Sequence, residues 1–222
     1  MWKKRSILLV AGLLAVVAGV FLLSYSETFR NLIDSITLWA KDLMAAKPLL
    51  GVVVFFLFSM LSAMLAFASS AALVPPANLV WGKFVTFLLL WSGWLTGAVV
   101  AYQIGRLARP LLMRLGYKEK IEKYQEYVSR RTKFWMILLF CFAVPSEIPG
   151  YVLGGVHFSF WRFLIAMAIS EGIYAGLIVL AGQSLLSDNP LPLMLILGAL
   201  VLIGAIAGML FRKFRKRRSR KQ

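Results

Sequence analysis

The run Cys141-Phe142-Ala143-Val144-Pro145-Ser146-Glu147-Ile148-Pro149-Gly150 sets two prolines, a glycine and a carboxylate inside a stretch apolar enough to enter a bilayer. Proline lacks an N–H and clashes with the preceding turn, so it ends or kinks a helix. In hydrocarbon, every backbone group freed in this way needs a partner within the protein. A broken helix at that depth is therefore buried in protein or lines a polar cavity. Ionisable side chains there are costly and are candidates for function, which singles out Glu147. The first expectation is a membrane protein that acts where its helices break.

The remaining chain fits that expectation. Of 222 residues, 60% are hydrophobic and 15% charged, a balance that favours membrane spans over one large water-facing core. Runs of roughly 18 or more apolar residues read as spanning helices. Three are uninterrupted, at 6–24, 84–104 and 191–211. A fourth, 158–186, carries Arg162 near its start and Glu171 near its middle. Two further apolar runs, 49–80 and 134–156, end in proline and glycine clusters and need not cross.

Charge sets the orientation. Lys3, Lys4 and Arg5 precede the first span, residues 106–133 carry nine Lys/Arg, and residues 212–221 carry eight. Residues 27–47 hold three basic and three acidic side chains, and Asp188 is alone in 187–190. Counting positive charge inside places both termini and the 105–133 segment in the cytoplasm. The first span then exits and 84–104 runs inward, so 49–80 starts and finishes outside. By the same logic 134–156 starts and finishes inside. The expected fold is an all-α integral membrane protein of the plasma (inner) membrane, multi-pass, with four transmembrane helices and two opposed re-entrant helical hairpins in an inverted-repeat arrangement. Arg162 falls at the cytoplasmic edge and Lys83 at the outer edge, where long basic chains snorkel.

The net charge of +16 does not point to nucleic acid. It sits on short cytoplasmic segments, where orientation and anionic headgroups account for it. The basic tail 212–221 reads as a stop-transfer anchor, with docking onto acidic lipids or an acidic partner as the alternative. The first 26 residues read as an uncleaved anchor rather than a cleaved signal. One cysteine, Cys141, rules out an intrachain disulfide and a cysteine-based metal cluster. No His/Cys/carboxylate spacing suits a metal, and no nucleophile elbow or phosphate loop is present. No enzyme activity, catalytic residue, metal or cofactor is expected. Residues 27–47 have helical apolar spacing (Phe29, Leu32, Ile33, Ile36, Trp39, Leu43) suited to an outer interfacial helix. In 118–133, Glu119, Glu122 and Glu126 alternate with basic residues, as in a solvated helix.

Within 48–186 two halves look alike. The first reads hairpin, Val74-Pro75-Pro76, Trp81-Gly82-Lys83-Phe84, then a span with Gly93, Gly97, Tyr102 and Gly105. The second reads hairpin, Pro145 and Pro149 with Gly150, Gly154-Gly155, Trp161-Arg162-Phe163, then a span with Gly172, Tyr174, Gly176 and Gly182. Paired broken helices in opposed repeats are a pattern of secondary transporters, with the site between the repeats.

These residues resemble the DedA/VTT-domain (SNARE-associated) superfamily. The first half is similar through Pro75-Pro76, Gly82, Gly93-x3-Gly97 and Tyr102-x2-Gly105-Arg106. The second is similar through Pro145-x3-Pro149, Gly154-Gly155, Phe160-Trp161-Arg162-Phe163 and Gly182. Two departures stand out. Members commonly carry an arginine just before the second proline motif, where this chain has Phe140 to Val144, and the spacing from Pro145 to Gly154 is short. The resemblance implies an integral membrane protein linked to moving phospholipids or polyprenyl-phosphate carriers between leaflets, with proton-motive-force dependence in bacteria.

The candidate residues follow. Glu171 lies about 13 residues into its span, close to mid-membrane at 1.5 Å per residue. A charge there costs at least about 2.5–3.5 kcal/mol, so Glu171 is protonated, paired or facing water; its competing role is packing. Glu147, at the second break, is the other candidate for transport and proton coupling, against a structural role capping freed N–H groups. It is also suited to binding a cationic headgroup or pairing with Arg106 or Arg162. Arg106 and Arg162 are candidates for headgroup or phosphate contact, against snorkelling alone. Pro75, Pro76, Pro145, Pro149 and Gly150 are the expected hairpin breaks. His157 reads as an interfacial anchor, Asn78 and Gln183 as weaker candidates for a polar path, and the span glycines as packing devices. Three functions are carried forward: a lipid translocase, a proton-coupled small-solute transporter, and a non-transporting scaffold. Membrane lipids and protons are the expected partners, and a homo-oligomer is left open.

Overall fold

The computed structural model describes residues 35, 38, 41–65, 70–117, 119, 121, 122, 125, 133–145, 147–185, 195, 196, 198, 199 and 202–209. Among these every regular element is helical and none is a strand. The expected first span lies outside the described residues, as does much of 27–47, 118–133 and 191–211.

Helix α1 (Pro48–Ser62) starts on a proline, whose missing N–H would lack a partner there in any case. Past its end, the Ala63 N–H donates to Ser59 O at 3.2 Å and that of Met64 to Leu61 O at 3.0 Å. A 3-10 turn (Ser70–Leu73) leads into α2 (Val74–Leu112), with Pro75 and Pro76 in its first turn. Gly82 interrupts α2 at φ 75°, ψ 164°, a region open essentially to glycine alone. It divides α2 into a short arm, 74–81, and a long arm, 83–112. The long arm outruns the apolar stretch 84–104 and carries Arg106 and Arg109 on the same helix, passing Pro110 before a π-turn (Met113–Tyr117). The boundary expected at 104/105 is thus a change of composition and not of backbone.

Helix α3 (Phe134–Ala143) stops before Val144, which is extended at φ −127°, ψ 143°. This is the conformation expected of a residue preceding proline. Then come α4 (Glu147–Gly155) and α5 (Phe160–Leu185), joined by a turn in which His157 has φ 53°. The chain therefore runs twice through one order: helix, break, short helix, positive-φ turn, long helix. Glycine makes the turn the first time, and histidine, among the residue types that tolerate the left-handed region best, makes it the second.

Close backbone contacts hold these pieces on the long arm of α2. A Cβ on Gly93 would stand 2.7 Å from Ser59 Cβ of α1, and one on Gly97 would meet the backbone of Met60. Farther along, a Cβ on Gly150 would be 2.8 Å from Ala101 Cβ, while on Gly105 or Gly154 it would run into the backbone of Tyr151 or Tyr102. Because Gly51 lies against Trp81, α1 begins at the Gly82 end of the long arm, climbs to Gly97, and the chain returns to Gly82 through 74–81. In contrast α4 starts at Ala98–Ala101 and descends to Arg106, at the other end. The short arm 74–81 docks on the far end of α5, where Gly182 meets Val74 and Pro75 and the Asn78 side-chain amide donates to Val179 O at 2.9 Å. Each short helix thus packs on the long helix of the other half. Two buried clusters fill the ends, one around Phe55, Leu90 and Val179 and one around Tyr102, Leu153 and Phe163. The stretch Ser70–Leu115 and the helix Phe160–Ser184 are each long and apolar enough to cross a membrane.

Overpacking a helix contact typically costs about 1–3 kcal/mol, so Gly154→Ala should lower the melting temperature of the detergent-solubilised protein clearly. Gly176→Ala should change it little or raise it, since the nearest atom to a Cβ there is Phe87 Cε2 at 3.9 Å and alanine favours a helix by about 0.5–1 kcal/mol. Equal effects from the two substitutions would contradict the close-packing account.

Candidate functional site

The two breaks come together beside the middle of the long arm. Trp94 joins them: its indole N–H donates to Ser70 Oγ at 2.9 Å, at the end of the first break, and its ring lines a cavity formed by the second. Ser70 in turn donates its hydroxyl to Ser62 Oγ at 3.3 Å, closing the first break across its mouth. Tyr151 of α4 adds a second tie, its hydroxyl donating to Met64 O at 3.2 Å. Trp94 and Glu171 are each the twelfth residue of their straight helical segment, counting from Lys83 and Phe160. At 1.5 Å per residue both stand roughly 17 Å from the segment start, about half a hydrocarbon core.

The cavity is about 310 Å³, and Trp94, Phe142, Pro145, Glu171, Tyr174 and Ile178 contribute to its wall. Glu171 is 3% exposed and forms no hydrogen bond among the described residues. Glu147, in the first turn of α4, lies near enough for the two carboxylates to interact electrostatically. Its Oε2 is buried and has no hydrogen-bond partner. Both aromatic polar groups at the wall are committed elsewhere: Trp94 to Ser70, and the Tyr174 hydroxyl to Phe142 O at 2.8 Å. That last bond satisfies a carbonyl left free where α3 breaks. Cys141 also lines the cavity and is a free, buried thiol.

The expected residues sort by position. Glu171 lines the cavity, and Glu147 lies outside its wall but within electrostatic reach. Pro145 lies in the second break, exposed, while Pro149 and Gly150 are buried within the first turn of α4. Pro75 and Pro76 open the short arm of α2 and the break itself precedes them; they start a helix, as proline without an N–H does well. Arg106 and Arg162 are exposed and are not at the cavity. Arg106 is twelve residues past Trp94, about 18 Å along the helix, and Arg162 is in the first turn of α5. Both belong to the His157 end. There the Tyr102 hydroxyl donates to Phe158 O, and Arg109 donates to Gln125 Oε1. Partial desolvation, then the positive charges of Arg109 and Arg106, push the His157 imidazole below its ordinary value, against a hydrogen bond with the Arg106 backbone. Of the weaker candidates, Asn78 binds α5 through its amide and Gln183 is exposed.

Trp94, Tyr174 and Ser70 were not among the expected residues. The available signal was an indole in mid-span, since tryptophan ordinarily sits at the membrane interfaces. Among the described residues no group of three or more His, Cys, Asp or Glu is arranged to hold a metal.

Comparison with known proteins agrees with the sequence resemblance. The model of the VTT domain matches residues 33–184. An uncharacterized protein of Methanocaldococcus jannaschii is 29% identical over 85 residues, 38% of this chain and 53% of that protein. The chain therefore spans about half the length of the curated relative it matches. No solved structure matches.

Tyr174→Phe strands the Phe142 carbonyl, a loss worth about 1–3 kcal/mol for a buried acceptor, and should lower the melting temperature. His157 is the one histidine in the chain, so its ring signals can be followed by NMR without overlap. Arg109→Gln removes a nearby positive charge, which favours the imidazolium, and its titration midpoint should move up toward the ordinary histidine value; an unmoved midpoint would detach His157 from that cluster.

Proposed function

We propose that this chain, which belongs to the VTT-domain family and is a membrane protein, moves lipids between leaflets, with phospholipids or polyprenyl phosphates as the cargo class and protons as the coupling ion. The observation that carries this reading is the mid-helix cavity lined by the buried Glu171 where two helix breaks meet, with Glu147 within electrostatic reach. Irregular backbone at membrane depth is tolerated where it lines a polar cavity, and paired breaks between repeated halves are where transporters hold their cargo.

In this reading the two helix-break-helix units are the re-entrant hairpins. The Gly82 end faces out, the His157 end faces the cytoplasm, and both chain termini are cytoplasmic. Four spans result when 6–24 and 191–211 are counted with the long helices. Support comes from the opposite ends of α2 at which α1 and α4 approach it, and from Arg106, Arg109 and Arg162 gathering at one end. A lipid phosphate would meet Arg106 and Arg162 at the cytoplasmic rim. The headgroup would then pass the cavity while its acyl chains stay in lipid, and Glu171 and Glu147 would exchange protons as it passes. Protonation of Glu171, the buried acid in the cavity wall, is the proposed switch.

The cavity of about 310 Å³ also suits a small solute, which keeps a proton-coupled solute transporter as the second reading. In proteoliposomes, dithionite quenching of fluorescent phospholipids should show leaflet exchange faster than in empty liposomes. A pH gradient should alter the rate, and Glu171→Gln should abolish the alteration while the protein remains folded. Exchange at the empty-liposome rate for every lipid tested would remove the lipid reading. Solute uptake would then decide between the transporter and the scaffold.

A further inference from the structure

Although phosphate is the charge that every phospholipid shares, the cavity is built for the opposite sign. Its one acidic wall residue among those described is Glu171, buried and without a hydrogen bond among the described residues. Glu147, just behind the wall at the start of α4, is close enough to interact with it electrostatically, and its buried Oε2 has no partner among the described residues. Among the described residues no Lys or Arg lines the wall. The nearest helix N-terminus, that of α4, already has the negative charge of Glu147 in its first turn, which is the charge such a terminus favours. Among the described wall residues a phosphate at this depth would meet a carboxylate and no cation. Three aromatic rings, Trp94, Phe142 and Tyr174, complete the wall. The indole N–H is given to Ser70 and the phenol hydroxyl to Phe142 O, so what these side chains have left for a ligand is ring surface. Carboxylate plus aromatic surface is the chemistry that recognises ammonium groups, and the volume matches the lower range of small-ligand pockets.

We propose that the cavity is an ammonium-binding site, and that the chain selects lipids whose headgroup carries an amine over lipids whose only charge is phosphate. This rests on the reading of the cavity as the crossing point for headgroups. It divides the headgroup between two stations. The phosphate is met by Arg106 and Arg162 at the rim, and the ammonium is met by Glu171 and Glu147 at mid-helix. The distance of about 18 Å between Trp94 and Arg106 along the helix exceeds one headgroup, so the stations act in sequence. If Glu171 releases its proton to accept the cation, the proton coupling gains a stoichiometric basis: an ammonium enters as a proton leaves.

The test compares phospholipids labelled on an acyl chain, so that the headgroup is intact, in proteoliposomes. Phosphatidylethanolamine and phosphatidylcholine analogues should exchange about tenfold faster than a phosphatidylglycerol analogue, the discrimination expected of one desolvated charge contact. Choline should slow that exchange and raise the melting temperature of the detergent-solubilised protein. Its neutral carbon isostere, dimethylbutanol, should do neither. Glu171→Gln and, separately, the more exposed Glu147→Gln should each weaken the choline effect. If either variant fails to fold, the headgroup series and the choline pair on the unaltered protein decide the matter. Equal exchange of all headgroups with no choline effect overturns the ammonium site and leaves the translocase standing. A choline-specific rise in melting temperature without exchange of any lipid keeps the site, makes a free cation its ligand, and overturns the translocase. Neither exchange nor a choline effect overturns both.

Discussion

A peptide carbonyl cut off from water must find a donor, and most of the described architecture answers that demand. Breaking a helix at membrane depth frees several such groups, each worth a few kcal/mol if stranded. The chain supplies donors from side chains on other elements. At the breaks Tyr174 reaches Phe142 and Tyr151 reaches Met64, while Trp91 and Asn78 add a second donor to Ala168 and Val179 inside α5 and so tie the halves together. Four of the side chains that hold the fold together are therefore polar ends of large, mostly apolar residues or a short amide. They can sit in an apolar setting and still satisfy a carbonyl. The glycine contacts along α2 serve the same end, because only backbones packed this closely bring those donors within reach.

The same demand explains why a carboxylate pair persists in the middle of the molecule. Where donors are provided, the break is closed, as at Ser62, Ser70 and Trp94. At the second break, by contrast, Glu147 Oε2 lacks a partner and Glu171 forms no hydrogen bond among the described residues. Glu147 shares this with Ser59, Asn78, Trp81 and Arg109, each of which has a buried side-chain atom without a partner among the described residues, but it alone of these lies within electrostatic reach of a second buried acid.

Much of this was legible in the sequence, and the limits are physical. Proline chemistry located the second break within a residue or two, and charge at membrane depth singled out Glu147 and Glu171. The first break was misplaced onto Pro75 and Pro76. Its own residues, among them Ser62 and Ser70, carry no proline, and the two prolines sit where a helix begins. Arg106 and Arg162 were expected at the cytoplasmic ends of their spans, and both are exposed and lie away from the cavity. Trp94 escaped notice, and Tyr174 was read only as a position shared by the two halves, because an aromatic residue in an apolar span is unremarkable until its polar group is seen to be bound. The cross-half contacts, separated by 77 residues for Trp91–Ala168 and 101 for Asn78–Val179, leave no local trace at all.

Those separations bear on how the molecule comes to exist. The short arm 74–81 leaves the ribosome long before Gly182 and Val179, the surface it docks on. At about 5–20 residues per second, the 101 residues from Asn78 to Val179 take roughly 5–20 s to appear. Throughout that interval the first half sits without its partner, with an amide and a row of close-packing backbone positions uncovered. Neither half can be completed alone, so assembly is a single late event in which each closes the other. The interval before it is the period in which the nascent chain is most open to insertion chaperones and to quality-control proteases.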